Sequence, residues 1–131
     1  MAVQKQAQKW GGFMEEAWGF SQGVKVGNII YISGQTAMMD DASIDGPGDM
    51  AKQLRRAYAN IAKVLEGFGA TAQNVVDETL YVADYMAAAT SALEVRKEFY
   101  GPEFEVASTL IPVNAFATPD MLVEIKCVAH L

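Results

Sequence analysis

Short apolar runs flank Gly27-Asn28 in the stretch Gly23 to Gln35 (GVKVGNIIYISGQ), a pattern that predicts two short strands joined by a tight turn. In the second strand, alternation puts Ile30 and Ile32 on one face and Ile29 and Tyr31 on the other, so both faces are apolar. Thr36 to Gly48 reads as a loop: it is rich in aspartate and closes on Asp45-Gly46-Pro47-Gly48. Asp49 then offers an N-cap, and Met50, Leu54, Tyr58, Ile61, Leu65 and Phe68 follow at three- and four-residue steps. That spacing predicts one helix with a single buried stripe, ending near Phe68, where Gly69 is suited to stop it. Each large side chain buried on the stripe contributes about 1.5–3 kcal/mol, which makes this helix a main anchor of the core.

Val75 to Asp84 alternates as a strand, with Val76, Leu80 and Val82 expected to face one way. A second helix is predicted over about Ala87 to Tyr100, offering Leu93, Val95, Phe99 and Tyr100 and halted by Gly101-Pro102. Val106 to Val113 and Met121 to Ala129 are two further strands, joined by a loop carrying Thr118-Pro119-Asp120, where proline fits a turn better than a ladder. The order is therefore two strands, a loop or short strand, helix, strand, helix, and two strands: one α+β domain over residues 1–131. Two helices cover only one face of a sheet of five or six strands. Yet Leu122 and Val128 stand opposite Val123 and Ile125 in the last strand, as Ile29 and Tyr31 do in the second. An apolar open face of this kind calls for burial, and self-association is the economical solution.

Composition narrows the chemistry. With 51% hydrophobic residues in 131, the chain can build a core without staples, and its single cysteine (Cys127) excludes an internal disulfide or a cysteine metal cluster. The unstapled chain suggests a reducing, cytoplasmic setting. The N-terminal stretch lacks a continuous apolar run, so neither a signal peptide nor a membrane span is expected. Ten basic against sixteen acidic side chains give a net charge of −6. That balance argues against nucleic acid as a partner, because attraction to phosphates needs clustered cations. Lys52, Arg55, Arg56 and Lys63 share one segment and read as the solvated face of the first long helix.

Several stretches carry a family likeness. They are Phe20-Ser21-Gln22-Gly23-Val24 followed by Val26-Gly27-Asn28; Tyr31-Ile32-Ser33-Gly34-Gln35; Asp49-Met50 with Gln53 and Asn60-Ile61; Val75 to Asp84; and Val123-Glu124-Ile125. In this order and spacing, from about Ser21 to Ala129, the chain resembles the Rid/YjgF family, also described as L-PSP endoribonuclease-like. The resemblance implies a chorismate-mutase-like sheet of about six strands with two helices on one face. It also implies a homotrimer with small-molecule clefts between subunits, and hydrolysis of reactive enamines and imines to 2-keto acids and ammonia without a cofactor. In the family's archetype an arginine opening the penultimate strand clamps the substrate carboxylate. Here that stretch reads Ala107-Ser108-Thr109, so Ala107 stands in the arginine's place. Phe20 stands where the archetype has a tyrosine, and Ala92 where it has an asparagine. A bidentate guanidinium–carboxylate pair supplies strong charge-assisted hydrogen bonds that alanine cannot replace. The expected pocket is less cationic and more apolar than the archetype's, and suits a different substrate.

What the resemblance retains is Ser33, Gly34, Thr109 and Glu124. Glu124, Thr109 and Ser33 are the candidate catalytic residues, with Glu124 holding water or accepting a proton. Phe20, Gly34, Ala107 and Trp18 are the candidate substrate-binding residues. Each has a plainer reading: Glu124 in an ion pair with Lys126, Ser33-Gly34 as a bulge ending a strand, Thr109 as an ordinary β-branched strand residue, and Phe20 and Trp18 as core. Cys127 shares a face with Val123, Ile125 and Ala129 and reads as a buried structural thiol. His130, beside the last residue, is not expected to serve a catalytic triad, and Asp40-Asp41 lacks the partners for a metal site. No metal or cofactor is expected. The rival to an enzyme is a non-catalytic metabolite-binding or regulatory trimer. A ribonuclease is a distant third, disfavoured by the acidic charge and the lack of a suitable histidine.

Overall fold

The hairpin forms around Gly27 as its composition predicts, in a computed structural model that describes all of residues 1–131. Strands β2 (Gly23–Val26) and β3 (Ile29–Gln35) pair antiparallel with Val26 opposite Ile29, and Gly27 takes the positive φ of 57° that the two-residue turn requires. Two elements lie upstream that hydrophobic periodicity does not reveal. They are strand β1 (Gln6–Gln8), paired along β2, and the short helix α1 (Phe13–Trp18). The sequence of β1 is Gln-Ala-Gln, with no apolar alternation to read.

Helix α2 spans Met50–Gly67, capped by the Asp49 carboxylate accepting from the Lys52 N–H at 3.0 Å. At its other end Gly69, with φ of 74°, turns the chain so that the Ala70 N–H reaches the Leu65 carbonyl. Strand β4 (Val75–Val82), helix α3 (Tyr85–Tyr100), strand β5 (Ala107–Pro112) and strand β6 (Val123–His130) complete the chain. The six strands form one sheet in the order β1-β2-β3-β6-β4-β5, antiparallel except for the parallel β4–β5 pair. Helix α3 provides the crossover that a parallel pair demands. The loop before α2 closes on itself through a single bridge between Met38 and Ile44.

α2 and α3 pack on one face of the sheet, over a core built from Ile30, Ile32, Leu80, Val82, Val123, Ile125 and the α2 stripe. Cys127 lies in this core as expected, and burial pushes its thiol far above the usual range. Two sequence expectations need correction. Val76 is exposed, because a register shift between Val75 and Asp77 turns Val75 into the core instead. Leu93 lies on the outer side of α3, whose buried contacts come from Ala88, Val95 and Tyr100. The cations of α2 do form a solvated face, dressed with ion pairs from Lys52 and Arg56 to Asp45 and from Arg55 to Glu98. No helix is long and apolar enough to cross a membrane.

The core also holds a charge that the alternation of β4 does not single out. Glu78 is fully buried between the helices and the sheet. It accepts hydrogen bonds from the Tyr58 hydroxyl at 2.5 Å and the Tyr100 hydroxyl at 3.0 Å, and pairs with the Arg96 guanidinium. The opposite face of the sheet carries neither α2 nor α3. Its register places Tyr31 beside Val128, and Tyr81 between Glu124 and Ile111.

Candidate functional site

Glu124 sits on the open face of β6, in a strand whose other face is core. Alternation buries Val123, Ile125, Cys127 and Ala129 toward the helices and leaves Glu124 and Lys126 on the far side. Next to it, β3 is irregular. Ile32 pairs with Cys127 and Gln35 with Ile125, so Ser33 and Gly34 together span the width of one residue, a bulge beside the carboxylate. A Cβ built on Gly34 would overlap the Glu124 carboxylate, so glycine at this position creates the space that the acid occupies.

The cleft in front of Glu124 has a volume of about 850 Å³. One wall is α1 with the chain leading into it, a second is the Met38–Ala42 segment, and Ser33, Gly34 and Glu124 form part of the floor. Motif positions of the sequence hold these walls in place. Asn60 on α2 donates to the carbonyls of Thr36 and Met38, both at 2.9 Å. Gln53, fully buried, donates to the Gly46 and Asp120 carbonyls and accepts from the Leu122 N–H, tying both loops to the start of β6. α1 is anchored by Glu15, which accepts from the backbone N–H groups of Trp10 (2.7 Å) and Gly11 (2.9 Å) and from the Gln22 amide (2.9 Å). Burial pushes the Glu15 carboxyl up, but these donations more than offset it and hold the group below its ordinary range. Gln22 in turn accepts from Gln35, which extends the buried polar chain onto β3.

The carboxylate of Glu124 has none of these ties. It makes no hydrogen bond or ion pair within the chain, and Lys126 points instead toward the Ile32 carbonyl at 3.4 Å. The ion pair with Lys126 is therefore not formed. Burial raises the Glu124 carboxyl above its ordinary pKa, with a smaller lowering from the charge of Lys126. A half-buried carboxylate with a raised pKa and free lone pairs, facing a cleft, is suited to proton transfer.

The Endoribonuclease L-PSP family profile matches residues 14–131, which takes in most of α1 and every element after it. The chain belongs to the Rid/YjgF family. It is 32% identical over 111 residues to a RutC family protein of Pyrococcus abyssi, covering 85% of both chains. It is 29% identical over 111 residues to the 2-iminobutanoate/2-iminopropanoate deaminase of Dermatophagoides farinae, covering 82% of this chain and 86% of that one. Among solved structures, a YjgF/YER057c/UK114 family protein of Mycobacterium tuberculosis superposes with a TM-score of 0.84 at 28% identity, covering 98% of this chain and 100% of that one.

Within this Rid/YjgF chain the seven expected site residues fall into two groups. Glu124, Ser33, Gly34, Phe20 and Trp18 line the one cleft. Ala107 and Thr109 do not: they lie on β5, two strands and about 10 Å across the sheet from β6. Thr109 pairs with Thr79, which faces Lys126, so it is also out of line with Glu124 along the strands. Ser33 is less free than expected, because its hydroxyl donates to the Ser21 carbonyl at 2.6 Å. Trp18 is 69% exposed and so is not a core residue. Sequence reasoning missed the far wall: Trp10, Phe13, Met38, Met39 and Lys63. The cluster of two tryptophans, Phe13 and Phe20 between residues 10 and 20 was the available signal, since so aromatic a segment lacks the strand or helix periodicity that would commit it to the core.

Proposed function

We propose that this chain is a cofactor-independent enamine/imine deaminase or related hydrolase, acting in the Glu124 cleft on a substrate other than that of the family's archetype. The observation that carries the reading is the Glu124 carboxylate itself: half-buried, unpaired, seated against Gly34 and open to the cleft. The names of relatives such as the D. farinae deaminase support the reaction class. In the reaction, water adds to the C=N carbon while Glu124 takes one of its protons. The proton returns to nitrogen and the C–N bond breaks. One imine and one water thereby become one carbonyl compound and one ammonia. General acid–base assistance of this kind contributes about 10²–10⁴-fold.

The acting unit is a homotrimer that packs its open sheet faces together. Support comes from the apolar side chains on that face, including Ile29, Tyr31, Ile111 and Val128, with Tyr31 and Ile111 largely exposed in the single chain. In such an assembly β5 of a second copy completes the cleft, which would bring Ala107 and Thr109 to the substrate from outside. Light scattering should return three times the 14.2 kDa chain mass.

Ammonia and carbonyl release from imines generated in situ tests the reaction. Glu124→Ala should lose turnover while keeping the trimer, and full activity in that variant would sink the assignment. A second reading, a metabolite-binding trimer without chemistry, is favoured by Ala107 and Phe20, which remove a cation and a hydroxyl from the family pattern. A ligand that raises the melting temperature and is recovered unchanged would support it.

A further inference from the structure

The charge and aromatic lining of the cleft bear on the substrate class. Four carboxylates, Glu15, Asp40, Asp41 and Glu124, line it against one ammonium, Lys63. That ammonium is already engaged, 3.7 Å from Asp40 and 4.0 Å from the centre of the Trp10 ring. Glu15 and Asp41 are likewise occupied, by the α1 anchor and by Ser43. Only Glu124 is left to meet a ligand. An incoming carboxylate would thus find no free cation among the residues lining the cleft and an unpaired anion on its floor. The Ala107 position offers no cation from a second copy either.

The lip of the cleft adds an independent observation. Phe13 and Trp18 are 79% and 69% exposed, although aromatic rings normally supply core area. Neither belongs to the hydrophobic core, and both are carried on α1, which the buried Glu15–Gln22–Gln35 chain pins over the cleft. Exposed rings facing an acidic floor form a receptor for a ligand that is apolar at one end and positively charged at the other.

Building on the deaminase reading, we infer that the substrate is a carboxylate-free iminium ion with an aromatic or large apolar side chain. The Glu124 carboxylate would face the C=NH2⁺ group, and the Phe13 and Trp18 rings would contact the side chain. The step balances as R–CH=NH2⁺ plus H2O giving R–CHO plus NH4⁺. Glu124 accepts a proton from the attacking water and returns it to nitrogen, then takes the carbinolamine hydroxyl proton as the C–N bond breaks and passes it to the released ammonia. The reaction supplying this substrate is the two-electron oxidation of a primary amine, and the product is an aldehyde.

A matched pair of imines separates the inference from the reading beneath it. An amine oxidase acting on phenethylamine and an amino-acid oxidase acting on phenylalanine release imines that differ only in the carboxylate. The rate of ammonia release above the protein-free control measures hydrolysis of each imine by the protein. The protein should accelerate hydrolysis of the phenethylamine-derived imine at least about tenfold more than its carboxylated twin, given the cost of setting like charges together. Phe13→Ala with Trp18→Ala should raise KM for that imine by a larger factor than for the ethylamine-derived imine, and equal factors would overturn the contact of the rings with the side chain. Equal or greater acceleration of the carboxylated imine overturns the substrate inference and leaves the deaminase reading standing. No acceleration of any imine overturns both.

Discussion

Replacing Glu78 by alanine should be among the most damaging single changes in this chain, although the residue lies outside the cleft. The carboxylate is fully buried and holds three partners: the hydroxyls of Tyr58 and Tyr100, themselves 2% and 3% exposed, and the guanidinium of Arg96, whose side chain is 17% exposed. Removing one member of a buried ion pair costs about 3–5 kcal/mol, chiefly because the other charge is left unpaired. A buried hydroxyl that loses its acceptor adds about 1–3 kcal/mol, but the two tyrosines can partly satisfy each other, so the sum is not additive. The expected loss is about 4–6 kcal/mol, a third or more of the stability of an ordinary domain. At about 3–5 °C per kcal/mol for a chain of this size, the melting temperature should fall by about 12–30 °C. Urea unfolding followed by far-UV circular dichroism measures this, at one fixed protein concentration, since the proposed self-association would couple stability to concentration. The reasoning also predicts a partial rescue. Adding Arg96→Met to Glu78→Ala removes the orphaned charge and should restore about 1–3 kcal/mol. A loss below about 1 kcal/mol for Glu78→Ala, or no recovery in the double variant, would refute the account of an unpaired buried charge.

Two further outcomes follow from the cleft. Gly34→Ala should fold nearly normally, because the atoms in its way are the end of the flexible Glu124 side chain, yet displace that carboxylate and lower kcat on the accepted imine by about tenfold or more; wild-type turnover in this variant would remove Gly34 from the site. The raised pKa of Glu124 makes its ionised form a liability to the fold: its stabilising contribution is full below the unfolded-state pKa near 4.5 and is lost as pH rises through the higher folded-state value. Glu124→Gln should therefore be more heat-stable than the parent at neutral pH, with the difference fading below pH 4.5, while activity is lost throughout. Parallel melting curves and rate profiles across that pH range check both halves. The parent's activity should fall on acidification through a limb lying above the ordinary glutamate pKa.

How much of this was legible beforehand depended on how local the cause was. Helix α2 was readable end to end, because its stripe, its Asp49 cap and its Gly69 stop are all contained in about twenty consecutive residues. The two-faced character of β3 and β6 was equally visible, and with it the need for something to cover the open face. Alternation also put Glu124 on that face. It failed at Val76, where a bulge moves the register by one residue, and at Leu93, where the helix turns Ala88, Val95 and Tyr100 inward instead. Neither shift has a local signature, since both are fixed by what lies across the strand or beneath the helix.

The order of elements from β2 onward, the family and the apolar residues on the open face of β3 and β6 could all be read from the chain alone, whereas β1 and α1 could not. Which of the expected residues meet was settled by three-dimensional packing. It joined Glu124 to Gly34 across neighbouring strands from opposite ends of the chain, separated both from Ala107 and Thr109, and brought the N-terminal aromatics over the same floor. It also revealed Glu78 as a buried, fully satisfied charge. One physical reason is common to these cases. Hydrophobic periodicity reports a residue's relation to its own helix or strand, whereas a carboxylate's chemistry depends on groups distant in sequence that supply hydrogen bonds, exclude water or leave it unpaired.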